Sequence, residues 1–194
     1  MKLVLASTSK IKNDILNIVG IKHSKIDNTF EEYSENKDNV YQYVKDLSLG
    51  KAKSIIDKVD KGIILGVDTI VYIDNTILEK PKTIEEARHN LEISSGKTTS
   101  VITGIALINK ETNEIIQDYQ ETKLTLNKIS KEDIDYYIQN EPNIMNVSGF
   151  LVETIVSNFI KNIEGSYYNI LGMPVEKIYE HILNWNIHLK DLEE

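Results

Sequence analysis

Cysteine is absent from this chain of 194 residues, which excludes disulfides and thiol-ligated metal sites. No apolar run approaches the length needed to span a membrane. The opening stretch Met1-Lys2-Leu3-Val4-Leu5-Ala6-Ser7 is also too briefly apolar for a signal peptide. A cytoplasmic protein with no membrane partner is therefore expected. Basic charge is in short supply: 22 Lys and Arg stand against 30 Asp and Glu, a formal net charge of −8. Duplex nucleic acid, gripped mainly through Lys and Arg, is thereby excluded as an expected partner, whereas a small phosphorylated ligand needs only a few local cations. Histidines are few (His23, His89, His181 and His188), lack ligand spacing, and read as surface or packing residues. No linker, repeat or low-complexity tract breaks the sequence. With 41% hydrophobic and 27% charged residues, the expectation is one domain over residues 1–194 with a substantial core.

Hydrophobic periodicity predicts alternating strands and helices. Residues 2–7 read as a strand, and 10–19 as a helix with Ile11, Ile15, Leu16 and Val19 on one face. A strand edge follows at 25–30, then a long helix over 40–59 and a strand over 63–73. Residues 84–95 form a helix, with Thr83 and Glu86 at capping-box spacing and Gly96 as its stop. Two long strands, 98–109 and 115–126, flank a turn, and Ser130 caps a short helix to Gln139. Residues 150–163 suggest two further strands, and Pro174 opens a final helix as a first-turn residue. This order predicts an α/β fold with a mixed sheet.

The most informative feature is Gly66-Val67-Asp68-Thr69. It sets a carboxylate inside an apolar, β-branched run that reads as a strand buried on both faces. An ionised carboxylate there loses hydration worth several kcal/mol, roughly, unless donors or a cation replace the water. Asp68 is thus either hydrogen-bonded to a neighbouring loop or a catalytic or metal-binding group.

Three lysines could answer it. Lys12 follows a strand ending in Ser7-Thr8-Ser9 and lies near a helix start, where backbone N–H groups and the helix dipole favour a phosphate; the same serines can also be plain helix caps. Lys51 lies four residues from both Leu47 and Ile55, so it shares an apolar helix face and either snorkels to water or points at an anion. Lys80, extended by Pro81, ends the strand after the one carrying Asp68. Glu31, Glu32 and Glu153 are further acidic candidates. Carboxylates that hold Mg²⁺, with lysines for the phosphates it bridges, are what phosphoryl chemistry requires.

In order along the chain, Leu5-Ala6-Ser7-Thr8-Ser9-Lys10-Ile11-Lys12, Phe30-Glu31-Glu32, Gly50-Lys51-Ala52, Gly66-Val67-Asp68-Thr69 and Glu79-Lys80-Pro81 resemble the Maf family of nucleoside triphosphate pyrophosphatases. Ser95-Gly96-Lys97-Thr98, Thr103-Gly104-Ile105-Ala106-Leu107, Gly165-Ser166-Tyr167-Tyr168-Asn169 and Leu171-Gly172-Met173-Pro174 extend the resemblance over nearly the whole chain. It implies a bent central mixed sheet flanked by helices, with two lobes and a cleft, as in inosine triphosphatases. It also implies hydrolysis of noncanonical or surplus nucleoside triphosphates to monophosphate and pyrophosphate, with Mg²⁺ or Mn²⁺. By position, Ser7, Ser9, Lys12, Lys51 and Lys80 would bind the triphosphate, Asp68 would place metal or water, and Glu32 would be a second metal carboxylate. Lys12 stands where the family has Arg, keeping charge but losing the bidentate fork. The family's D-K-A-G-A-Y motif is replaced by Asn143-Ile144-Met145-Asn146-Val147-Ser148-Gly149, and Glu153 stands where Gln is common. This is the stretch that forms the family's substrate pocket, so Glu153 is a candidate substrate contact and the base is left open. A nucleotide-binding regulator of septation and an inosine-triphosphatase-type sanitising enzyme are the alternative functions. The oligomeric state is open, a homodimer included.

Overall fold

The computed structural model describes residues 1–31, 37–148 and 150–193. Among these, the strands are β1 (Leu3–Ala6), β2 (Ser24–Ile26), β3 (Ile63–Ile73), β4 (Thr76–Leu78), β5 (Thr98–Asn109), β6 (Ile115–Leu126) and β7 (Ile160–Glu164). The α-helices are α1 (Lys10–Ile18), α2 (Val40–Lys53), α3 (Ile84–Ser94), α4 (Lys131–Asn140), α5 (Tyr167–Ile170) and α6 (Val175–Asn184). The strands form a seven-stranded mixed sheet in the order β2-β1-β3-β5-β6-β7, with β4 paired to β3, so the α/β class is as expected. By contact density the chain divides into two compact units. The first comprises Met1–Thr69, Thr103–Gln120 and Leu171–Glu194, and the second Ile70–Ile102 and Glu121–Ile170.

In the first unit, β1 is buried along its whole length and pairs in parallel with β2 and β3, with Leu3, Val4 and Leu5 level with Ile63, Ile64 and Leu65. Parallel strands covered on both faces read as continuous apolar runs, which is why this part of the sheet was legible. The core over it is Val4, Ala6, Ala52, Ile55, Val59, Ile64, Ala106 and Ile108, margined by Ile26, Leu49 and Ile56. Each fully buried Ile or Val removes side-chain area worth about 1.5–3 kcal/mol from water. Helix α2 sits directly on the sheet. A Cβ on Gly66 would collide with the Ser48 carbonyl oxygen, and one on Gly104 with the Val44 carbonyl.

Four expectations for this unit are corrected. The helix predicted over 40–59 ends at Lys53, and a separate 3₁₀ turn spans Ile56–Lys58. The Ser54 hydroxyl donates to the Lys51 carbonyl at 2.8 Å, the acceptor that the next α-helical N–H would use, and the Ile55 N–H turns to Ala52 instead. The strand predicted at 25–30 covers only Ser24–Ile26. Beyond it the Thr29 N–H donates to the Ser54 hydroxyl at 3.3 Å rather than to a strand. On α1 only Ile15 and Leu16 are buried, and Ile11 is exposed. Pro174 is the N-cap of α6 rather than a first-turn residue. That helix is tied to β6 by Asp118, which accepts from Lys177 Nζ at 3.1 Å and meets His181 Nε2 at 2.9 Å. Burial pushes the Asp118 carboxyl up. Donation from the Tyr119 N–H, Lys177 and His181 outweighs it and holds the group below the usual carboxylate range.

In the second unit, Thr83 caps α3 by accepting from the Glu86 N–H at 3.2 Å, while the Glu86 carboxylate accepts from the Lys82 N–H at 2.7 Å, one residue before the expected box partner. Gly96, at φ +73°, closes the helix. Ser130 caps α4, as its spacing predicts, accepting from the Asp133 N–H at 3.1 Å. Of the two strands expected over 150–163 only β7 forms, antiparallel to β6. Upstream of it, Thr154 donates both its N–H and its hydroxyl to the Leu151 carbonyl, at 3.2 and 3.0 Å. That local closure leads into a 3₁₀ helix over Ile155–Phe159 instead of a strand.

Candidate active site

Because β1 and β3 run parallel with Leu5 level with Leu65, Ser7 and Asp68 leave the paired stretch at the same end of the sheet. The carboxyl ends of parallel strands are where open α/β sheets place ligands, since the backbone there turns into loops and helix N-termini. The first unit builds its polar cluster at this end.

Asp68 is buried, with 7% of its surface exposed, and its neighbours Leu65, Gly66 and Val67 are buried too. Its desolvation is answered by Lys51, whose ammonium donates to Asp68 Oδ1; the two side chains are 14% and 10% exposed. The apolar-face position of Lys51 on α2 thus leads to the buried carboxylate, an ion pair that neither reading of either residue named. A lone charge at either place would be strongly destabilising, because the partner would be left buried and uncompensated.

Lys12 reaches the same backbone. Its ammonium donates to the Val67 carbonyl at 3.1 Å, one residue before Asp68. Its arm passes Gly172, whose added Cβ would stand 3.2 Å from Lys12 Cε and 2.8 Å from Thr69 Oγ1. Gly172 has φ +78°, so the turn before α6 needs glycine for conformation as well as for space. The Thr69 hydroxyl in turn meets that of Thr103 at 3.0 Å. No chemical role for Gly172, Thr69 or Thr103 follows from sequence; their only signal is membership in the short motifs around them.

The serines are arranged by the turn into α1. Ser9 is the N-cap and accepts from the Lys12 N–H at 3.4 Å, while the Ser7 hydroxyl oxygen accepts from the Ser9 N–H at 3.1 Å. Each oxygen is used as an acceptor, which leaves each hydroxyl proton to donate to an anion. Ser7, Ser9, Lys12, Lys51 and Asp68 are therefore joined in one unit by direct contacts to the Val67–Asp68 backbone or to one another. Lys80 and Glu153 belong to the second unit, where both are exposed on connecting segments. Glu32 lies outside the described residues.

A divalent cation fits this donor set when it is shared with a substrate. Among the described residues no group of three or more His, Asp or Glu could hold a metal by itself. Mg²⁺ commonly takes only one or two carboxylates and completes its shell with water and phosphate oxygens. Asp68 supplies such a carboxylate.

A family model described as "Maf-like protein" matches residues 2–185. The dTTP/UTP pyrophosphatase of Thermoanaerobacter sp. (strain X514) is 33% identical over 181 residues, spanning 93% of this chain and 94% of that protein. The Clostridium acetobutylicum protein of the same name is 34% identical over 199 residues, covering 97% and 100%. That of Bacillus cereus (strain G9842) is 31% identical over 190 residues, covering 96% of each. Among solved structures, the Staphylococcus aureus Ham1 protein is 13% identical with a TM-score of 0.44, covering 65% of this chain and 72% of that one, a likeness too loose to carry an argument.

Proposed function

The chain belongs to the Maf family and is a nucleoside triphosphate pyrophosphatase, and we propose that dTTP and UTP are its substrates, each cleaved between the α- and β-phosphates. The base rests on the printed activity of relatives that match nearly end to end. The reaction rests on one geometric observation: two lysine ammoniums meet at a single buried segment, Val67–Asp68, on the carboxylate and on the neighbouring carbonyl.

Hydrolysis at the α-phosphate needs a positioned water, neutralisation of the departing pyrophosphate, and a dry wall around both. Asp68 is assigned to orient the attacking water by accepting its hydrogen bond. Lys12 and Lys51 are assigned to turn their charge from the protein's own oxygens to the phosphates, with the Ser7 and Ser9 hydroxyls as donors alongside them. In the second unit Lys80 is assigned to the phosphates and Glu153 to the rest of the substrate. Glu32 is proposed as a second carboxylate for the cation. Nucleotide pyrophosphatases of this family generally require a divalent metal; Mg²⁺ or Mn²⁺, when bound, would withdraw charge from the phosphoryl oxygens. Residues 1–194 act as one functional domain in this reading.

Phosphorus NMR of the products from dTTP, UTP and a panel of other nucleoside triphosphates, without added pyrophosphatase, tests the proposal. Monophosphate and pyrophosphate in equal amounts, fastest from dTTP and UTP, are expected. Diphosphate plus orthophosphate as first products would overturn the reaction. Preference for inosine or xanthosine triphosphate would overturn the substrate assignment alone.

A further inference from the structure

Asn90 is a buried polar residue on α3, with 9% of its surface exposed, and the chemistry above makes no use of it. Its side-chain Nδ2 donates to the Glu79 carbonyl at 3.1 Å and to the Ser148 carbonyl, also at 3.1 Å. An amide nitrogen carries two N–H groups, and here they serve two segments far apart in the chain. Glu79 immediately precedes Lys80, and the chain is stiff there because Pro81 fixes the next backbone angle. Ser148 belongs to the stretch that departs from the family motif and runs on to Glu153.

The second segment is pinned again just downstream. The Leu151 N–H donates to the Tyr137 hydroxyl on α4 at 3.0 Å, and Tyr137 is almost wholly buried. Burial pushes that phenol up to about 12, so it stays protonated across the working range. Helices α3 and α4 are themselves clamped by Arg88 and Asp135. Ser148 and Leu151 are thus held by side chains from two braced helices, and of these side chains Asn90 also reaches the backbone beside Lys80. Neither loop can shift without leaving a buried N–H of Asn90 unpaired or drawing the other loop with it.

We infer that Asn90 is a positioning residue that couples the Lys80 turn to the segment leading to Glu153, so that the grip on phosphate and the contact with the rest of the substrate are set together. The inference rests on the reading of Lys80 and Glu153 as substrate contacts. It assigns Asn90 no contact with the nucleotide.

A double-mutant cycle on the full-length enzyme, read as KM and kcat for UTP with Mg²⁺, tests it. Asn90→Ala is expected to raise KM about tenfold with kcat within about threefold, a loss of the size that misplaced binding groups give. In a Lys80→Ala background the same change should cost no more than about threefold, because only the segment leading to Glu153 is left for it to position. An equal loss in both backgrounds, or a fall in kcat with KM unchanged, would overturn the coupling. If Lys80→Ala alone behaves like wild type, the assignment of Lys80 fails instead, and that arm is read without any Asn90 variant. Hydrogen exchange on the unmutated protein guards against variants that fail to fold. A nonhydrolysable UTP analogue should protect residues 78–82 and 148–152 together, and protection of one stretch without the other would sink the inference.

Discussion

In the first unit the charged candidate groups come from regular structure: Asp68 from the middle of β3, Lys51 from α2 and Lys12 from α1, each already bonded to a neighbour, with Ser7 and Ser9 on the turn between β1 and α1. In the second unit Lys80 and Glu153 stand exposed on connecting segments, and their placement depends on side chains such as Asn90 and Tyr137 that hold the loop backbone from beneath. The contrast suggests a division of labour. In the proposed reading, the carboxylate assigned to the attacking water and the two lysines bonded beside it are fixed by the sheet and its helices. Lys80, assigned to the phosphates, and Glu153, assigned to the rest of the substrate, sit on segments whose course can change without unfolding the core.

The comparison is most exposed to test at Asp68. Asp68→Asn keeps the size of the side chain but removes the charge that Lys51 pairs with and the acceptor assigned to water. Turnover per folded molecule is expected to fall on the order of a hundredfold or more, and loss of the charge facing Lys51 should lower the unfolding midpoint as well. Near-normal turnover at saturating Mg²⁺ would reduce Asp68 to a structural ion-pair partner.

A smaller effect should separate the two units directly. Lys12→Ala should lower kcat/KM about thirtyfold for every base alike, since its ammonium lies beside the Val67–Asp68 backbone. Glu153→Gln should cost about threefold at most and change the order of preference among bases. If Glu153→Gln instead cut all substrates equally, the second unit would share in the chemistry and the contrast would collapse. Rates over a panel of nucleoside triphosphates decide this.

The smallest effect concerns the β6–α6 tie in the first unit, away from the catalytic groups. The folded-state pKa of Asp118 is depressed, so its contribution is present above the unfolded value near 3.8 and lost as pH falls through the lower, folded one. The pKa of Lys177 is raised, chiefly by its hydrogen bond to Asp118, so its share is lost only as pH climbs beyond the unfolded value of 10.5. Asp118→Asn should therefore cost about 0.5–1 kcal/mol at neutral pH, the range of a partly exposed pair, and close to nothing at a pH below the depressed folded-state value. Urea unfolding at the two pH values measures the difference, and a cost independent of pH would mean that packing, not charge, joins α6 to the sheet.

Legibility from sequence follows the same division. The bounds of β3, β5 and β6 match the sequence reading because burial on a sheet is a local pattern, a continuous apolar run in β3 and β5 and an alternation in β6. Caps such as Thr83 and Ser130 were legible for the same reason. The early end of α2 was not, since it turns on a single hydroxyl of Ser54 competing for a backbone carbonyl. Residues 150–159 misled because their apolar spacing resembles strands, while Thr154 closes the chain on itself. At the site, sequence supplied Asp68 as a buried charge and Lys51 as a cation on an apolar face. It could not supply their meeting, which depends on how α2 lies on β3. The two grips of Asn90 were wholly hidden, because nothing in a residue's neighbours in sequence says which distant carbonyls it will find.

How α2 lies on β3 comes down to two missing methyl groups. Gly104 sits beneath Val44 and Lys45, and Gly66 beneath Ser48 and Ala52, so the helix rests on the sheet at two points with backbone against backbone. Two supports fix a tilt, and the tilt sets the direction in which the Lys51 side chain departs. The helix therefore works as a lever whose fulcrum is made of empty space. A mutational scan should find these glycines as intolerant as the ionic groups, and a methyl at Gly66 would lift the turn of α2 that carries Lys51 away from Asp68.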